Sequence, residues 1–323
     1  MTPAQPATQA PAFDRRAFLQ RFGLVFSFLL LIVALSLLSE RFLTSTNLIN
    51  ILRQATINGI ISVGMTLVIL TGGIDLSVGS VLALSVTIGA SLMKQGQPVG
   101  LSVLAALSIG TLLGVINGLM ISRAKIPPFI ATLGMLTVAR GLTLMYTQGQ
   151  PITGLPAAFR WIGTGVVGGI PVPIILTLLV FIVGWLFLSR TKFGAQIYLM
   201  GDNPNAARLV GVPIERMTVL VYAISGFCAA LAGLVLVARL DSAQPIIGQG
   251  YEFNAIAAVV VGGTSFAGGE GGLGGTLLGT LLIETLNNGL NLLNVSPLWE
   301  QVVKGVVIAL ALLLHKAFNP PSR

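Results

Sequence analysis

The stretch MTVLVYAISGFCAALAGLVLVA, residues 217–238, contains no charged side chain and lies between Arg216 and Arg239. A helix needs about 20 mainly apolar residues to cross the hydrocarbon core of a bilayer, and this stretch supplies them. Unpaired backbone amides are costly in lipid, so a spanning segment closes its hydrogen bonds internally, as a helix. Working outward, similar apolar runs occupy 23–39, 56–72, 76–93, 99–121, 128–146, 172–188, 254–267, 273–293 and 298–315. With the first stretch they make about ten spans. Composition agrees: the 323 residues hold 18 Lys or Arg and 10 Asp or Glu, 9% charged, where soluble domains run near 25%. The apolar runs are continuous, whereas a β-barrel would alternate in segments of about ten residues. The expected fold is all-α, a polytopic helical membrane protein with both termini cytoplasmic.

Charge distribution sets that orientation. With the N-terminus inside and ten alternating spans, eleven Lys or Arg between Arg15 and Arg323 fall in inside segments. Five fall outside: Arg41, Arg53, Lys94, Arg160 and Arg239. Basic loops stay cytoplasmic, so the net charge of +8 reads as membrane orientation, with no nucleic-acid partner. Residues 1–22 read as a partly disordered cytoplasmic tail, 23–316 as one transmembrane domain and 317–323 as a C-terminal tail. Gly23–Ser39 lacks a small-residue cleavage site and is followed by Glu40–Arg41, so it reads as a retained span. The single cysteine, Cys228, excludes a disulfide framework within the chain. His315, the single histidine, reads as interfacial, and no metal site is expected.

The largest polar segment is inside: SRTKFGAQIYLMGDNPNAARLVGVPIER, residues 189–216. Asn203–Pro204 starts a short helix, with Pro in the first turn. Gly211 ends it and Pro213 bars continuation. The stretch 147–171 is a long outside loop.

Gly110, Gly114 and Gly118 recur every four residues, as do Gly271, Gly275 and Gly279. Such spacing makes a flat helix face on which another backbone can pack closely. At about 100° per residue, Thr276, Thr280, Glu284, Asn287 and Asn291 form a polar stripe nearly opposite the second glycine set. That face must meet water or protein partners. A hydrophilic path and interhelical hydrogen bonding are both open readings.

Asp75 sits in TGGIDLSVGS, residues 71–80, where two apolar runs meet. Asp in mid-bilayer costs roughly 2.5–3.5 kcal/mol on insertion scales, so a partner or water is required. It could cap the next helix, contact substrate or a gate, or relay protons. The glycine-rich 259–275 lacks GxxxxGK[ST], so this chain shows no ATP site of its own. Glu300 and Lys304, four apart, pair on one helix face. No nucleophile–base constellation supports an intramembrane enzyme. An ion-coupled secondary transporter, with Asp75 or Glu284 titrating, stays open on these residues alone.

Five stretches together resemble a known family: GMTLVILTGGIDLSVGSVLAL (64–84), IPPFIATLGML (126–136), GDNPNAARLVGV (201–212), ARLDSAQPIIGQGYEFNAIAAVVVGGTSFAGGEGG (238–272) and NNGLNLL (287–293). The chain resembles, from about residue 45 to 315, the ribose-type permease subunit of bacterial ATP-binding cassette (ABC) sugar importers. The resemblance implies a multi-pass subunit of the bacterial cytoplasmic (inner) membrane that pairs with a second copy of itself. Two ATP-binding subunits would dock beneath it, holding the ATP and Mg, with no cofactor on this chain. An extracytoplasmic sugar-binding protein would deliver ribose or a related monosaccharide from above. Residues 201–216 look like the cytoplasmic coupling helix, which puts Gly201, Asp202, Ala206, Ala207 and Gly211 at the ATPase contact. Asn203, Arg208 and Glu215 join them as candidates within the same segment. Glu284 departs from the family pattern, where a small residue is usual.

Overall fold

The computed structural model describes residues 15–296 and, beyond them, residues 299, 302, 305 and 306. The tail 1–12, most of the run 298–315, Glu300, Lys304, His315 and the C-terminal tail lie outside the described residues. Five helices run through the first half: α1 (Arg15–Leu38), α2 (Ser45–Leu70), α3 (Val78–Lys94), α4 (Val99–Ser122) and α5 (Pro128–Thr147). A segment of short elements follows, with β1 (Ile152–Thr153), α6 (Ala157–Thr164), β2 (Val166–Val167) and β3 (Ile170–Pro171). Next come α7 (Val172–Arg190), α8 (Lys192–Asp202), α9 (Pro204–Leu209) and α10 (Ile214–Leu240). Then β4 (Ser242–Ala243), α11 (Tyr251–Val261) and α12 (Leu273–Leu292) complete the described elements.

Local chemistry sets the boundaries. Thr44 caps α2 by accepting the Asn47 amide, and α5, α7 and α9 each open with Pro in the first turn. Proline there loses nothing, because the first amides of a helix have no partner. Asp241 ends α10 in the left-handed region. The strands are two antiparallel pairs, β1 with β4 and β2 with β3. The first pair, the Leu155 amide donating to Asp241 Oδ1 at 2.8 Å, and the Arg160–Asp241 ion pair at 3.6 Å tie the stretch 147–171 to the end of α10.

Among the described residues, five helices are long and apolar enough to cross a membrane: α2, α4, α5, α7 and α10. The apolar part of α1, together with α3 and α11, is shorter. Each apolar run from 23 to 293 therefore carries a helix, with shifted ends. The second extends upstream to Ser45, and the run 254–267 stops being helical at Val261. The protein is a predominantly helical, multi-pass membrane protein.

Layering follows from apolarity. Ala55 to Leu70 of α2 is buried without a break, and most of α3 and α10 is buried beside it. By contrast α7 turns Leu178, Leu179, Ile182, Val183 and Leu186 outward. In water such a face would be untenable. A bilayer accommodates such a face, and polar side chains are drawn to the interior.

Candidate functional site

Three polar pairs join α2 to α12 along an antiparallel seam. Asn47 and Asn288 exchange amide hydrogen bonds at 3.0 and 2.9 Å. The Asn58 amide donates to Glu284 Oε1, and the Thr66 and Thr276 hydroxyls share a bond at 2.7 Å. Helices without a hydrophobic driving force between them are held by such bonds. The stripe predicted on α12 thus divides. Thr276 is spent on α2, and Thr280 donates to the Thr276 carbonyl at 2.8 Å. Asn287 reaches Glu284 Oε2 at 3.5 Å, and Asn291 donates to the Asn287 carbonyl at 3.0 Å.

Where the seam widens there is a polar cavity of about 190 Å³. Glu284, Asn287 and Asn291 line it from α12, Gln54 and Asn58 from α2, and Asn254 from α11. Tyr251 and Arg239 complete the polar wall. Glu284 lies about 16 Å along α12 from its start, at 1.5 Å per residue. The Thr66–Thr276 bond lies nearer that start.

Between α2 and α3 the chain unwinds around Asp75, which is buried. Its Oδ1 accepts the Ser77 amide at 3.0 Å and the Ser77 hydroxyl at 2.6 Å. Its Oδ2 accepts the Ser225 hydroxyl of α10 at 2.8 Å. The Asn117 amide of α4 donates to Ser77 Oγ at 2.9 Å, extending the network to α4. Asp75 therefore organises the start of α3 and locks it to α10. The polar cavity is lined by other residues.

Beside the Leu70 end of α2, α8 and α9 form a corner. Asn203 caps α9 by accepting the Asn205 and Ala206 amides at 3.1 and 3.0 Å. The Val212 amide returns to the Ala207 carbonyl at 3.0 Å, with Gly211 in the left-handed region. Ala207 is buried beneath the corner. Arg208 and Lys125 both pair with Glu215 at 3.6 Å. Exposed at the tip are Leu209, 89% accessible, and Val210, 72%. Two adjacent aliphatic side chains are thus exposed at the tip of this corner.

Gly201 and Asp202 lie against the rest of the molecule. The Gly269 amide donates to the Leu70 carbonyl at 3.0 Å, and a Cβ on Gly201 would meet both that carbonyl and the Gly269 nitrogen. A Cβ on Gly269 would stand 2.9 Å from the Asp202 Cα. Three backbones thus converge: the end of α2, the end of α8 and the α11–α12 loop.

The first glycine set packs α4 on α10. A Cβ on Gly110 would lie 2.5 Å from the Gly226 carbonyl oxygen, and one on Gly118 2.6 Å from the Val219 Cα. Gly114 meets the Tyr222 backbone between them. The second set needs correction. Gly275 and Gly279 pack on Gly262 and Ala258 of α11, but Gly271 precedes α12 and lies against Thr264 with φ 129°. Gly271 is part of the loop, since spacing by four also occurs by chance where a glycine-rich loop leads into a helix. Among the described residues no group of three His, Cys, Asp or Glu could hold a metal.

Residues 47–312 match the family model described as the branched-chain amino acid transport system permease component. The chain belongs to this permease family. The permease is 49% identical over 300 residues to the ribose import permease protein of Bacillus subtilis (strain 168), covering 92% of this chain and 93% of that one. The ribose import permease protein of Escherichia coli (strain K12) is 46% identical, with coverages of 93% and 94%. The D-allose transport system permease protein of the same strain is 39% identical, with 97% of both chains covered. No solved structure matches.

Several contributors to the permease's polar features escaped sequence reasoning. Asn58 and Thr66 are isolated polar residues in an apolar run, Asn47 lies in the polar stretch just upstream of it, and the partners of all three lie more than 200 residues away. Their common face on α2 was the available signal. Arg140, embedded in α5, donates to the Pro245 and Ile247 carbonyls at 2.7 and 3.0 Å. It anchors the segment that leads into α11.

Proposed function

We propose that this chain is the permease subunit of an ATP-driven importer for ribose or a related monosaccharide. The observation that carries the reading is the identity to ribose import permeases along nearly the whole of both chains. The allose, fructose and xylose permeases among the relatives keep the substrate class with monosaccharides. The polar seam and cavity between α2 and α12 are what a hydrophilic solute needs in an apolar bundle. ATP hydrolysis belongs to separate ATP-binding subunits with their own Mg, and the bacterial inner membrane is the site of action. In this reading ten spans place both termini inside, and two copies of the chain form the path. The cavity then opens toward the outer side, where a sugar-binding protein delivers its cargo.

Coupling runs through the α8–α9 corner. Leu209 and Val210 supply apolar contact to a docked ATPase, and Asp202 and Arg208 supply charge. Movement of the corner pulls on Gly201, which is wedged against the end of α2 and the α11–α12 loop. Those two segments carry the seam, so displacement there changes how α2 meets α12. Packed interfaces switch between discrete arrangements, and this one has polar pairs that can exchange. Co-reconstitution with a candidate ATP-binding subunit and sugar-binding protein tests the reading. The ATPase rate should rise when the binding protein is loaded with ribose. A rate indifferent to sugar in a correctly assembled complex would refute it.

A further inference from the structure

The cavity beside the α2–α12 seam has a chemical bias that separates possible occupants. Glu284 is an acceptor when ionised, so the amides of Asn58 and Asn287 present their nitrogens to it. That fixes both amide orientations and turns their carbonyl oxygens elsewhere. Asn58 Oδ1 and Asn287 Oδ1 are buried, and among the described residues neither has a hydrogen-bond partner. Both residues are more than nine-tenths buried and line the cavity. Burying an acceptor without a partner costs about 1–3 kcal/mol, so two of them in one place call for a donor.

The charges narrow the donor further. Arg239 and Glu284, one basic and one acidic residue, share the wall with five amides. A cation would satisfy the open acceptors but would meet the Arg239 guanidinium. An anion would meet Glu284 and the two amide oxygens. A neutral molecule carrying several hydroxyls avoids both conflicts, because each hydroxyl donates to one oxygen and accepts from an amide or guanidinium N–H. Size agrees: 190 Å³ is the share of about six waters at roughly 30 Å³ each, which matches a single small sugar ring rather than a disaccharide.

We propose that this cavity is a binding station for one neutral monosaccharide within the membrane. The Asn58 and Asn287 carbonyls accept sugar hydroxyls, and Asn254 and Arg239 donate. The proposal rests on the importer reading above and adds where, and by what groups, the sugar is held. Tight binding would slow release, so the station is weak.

Cysteine protection tests it in the reconstituted complex. Cys228 is buried, so a single introduced thiol is the reactive one. Gln54→Cys and, separately, Asn291→Cys, which line the cavity but are not among the groups assigned to hold the sugar, should react with a small water-soluble thiol reagent from the outer side. A site of about 10 mM affinity is some nine-tenths filled at about 100 mM sugar, so ribose should slow labelling about tenfold. Equal concentrations of leucine or sodium chloride should leave it unchanged. Labelling that ribose does not slow, absence of labelling at both positions, or equal protection by leucine or sodium would overturn the proposal. ATP-driven ribose uptake by the unmodified complex, measured alongside, separates the two readings. Uptake without protection removes the station and keeps the importer, whereas loss of uptake removes the importer itself.

Discussion

Replacing Gly110 with alanine places a methyl group against the backbone of α10. Its Cβ would stand 2.5 Å from the Gly226 carbonyl oxygen and 2.6 Å from the Ala230 Cβ, where ordinary contact begins at 3.4 Å. Neither neighbour is the end of a flexible side chain, so the helices must part by about 0.9 Å. Gly114 and Gly118 lie on the same ridge, and parting loosens their contacts as well. Overpacking of this kind costs about 1–3 kcal/mol. Alanine recovers about 0.8–1.0 kcal/mol in helix propensity, which leaves a net loss of up to about 2 kcal/mol. Gly134→Ala on α5 is the matched control, because nothing lies within 4 Å of its added Cβ. It gains propensity alone. Thermal unfolding of both variants in one detergent, followed by tryptophan fluorescence, should place Gly110→Ala below the parent and Gly134→Ala at or above it. Equal midpoints for the two variants would refute the close-packed α4–α10 seam.

Other perturbations address the remaining features. Leu209→Ser, at the α8–α9 tip, should reduce co-purification of the ATP-binding subunit while membrane insertion stays at the parental level. Unchanged co-purification would remove this corner from the docking surface. Gly201→Ala should uncouple ATP hydrolysis from uptake in the assembled complex, since its methyl group meets the end of α2. Asp75→Ala removes the acceptor for three hydrogen bonds and should be more destabilising than Ser225→Ala, which removes one donor. Thermal midpoints in the same detergent compare them. A double-mutant cycle on Asn47 and Asn288 should give a coupling near 0.6 kcal/mol, and at most about 1.7 kcal/mol, as for other interhelical bonds in membranes.

The helices were legible because lipid demands long apolar runs, and each run from 23 to 293 carries one. Their ends were less so. Ser45 to Ala55 extends α2 beyond the apolar pattern, since a cap at Thr44 and a half-buried polar turn are tolerated near the interface. The polar stripe on α12 could be read from spacing, but spacing could not say that Thr276 is spent on Thr66 while Asn287 lines a cavity. That division depends on α2, whose matching residues are far away in sequence. Asp75 was recognised as costly, and its partners, Ser77 and Ser225, are hydroxyls that blend into apolar helices. Asn203 and Gly211 announced the α9 corner through capping chemistry. The exposure of Leu209 and Val210 could not be read there, because an aliphatic residue in a short amphipathic turn usually faces inward.

Uptake of labelled ribose into proteoliposomes holding the permease, its ATP-binding subunit and the sugar-binding protein is the most direct measurement. Accumulation should require ATP on the side where the ATPase docks and binding protein on the other, and it should persist when ion gradients are collapsed. Accumulation without ATP, driven by a proton or sodium gradient, would contradict the account.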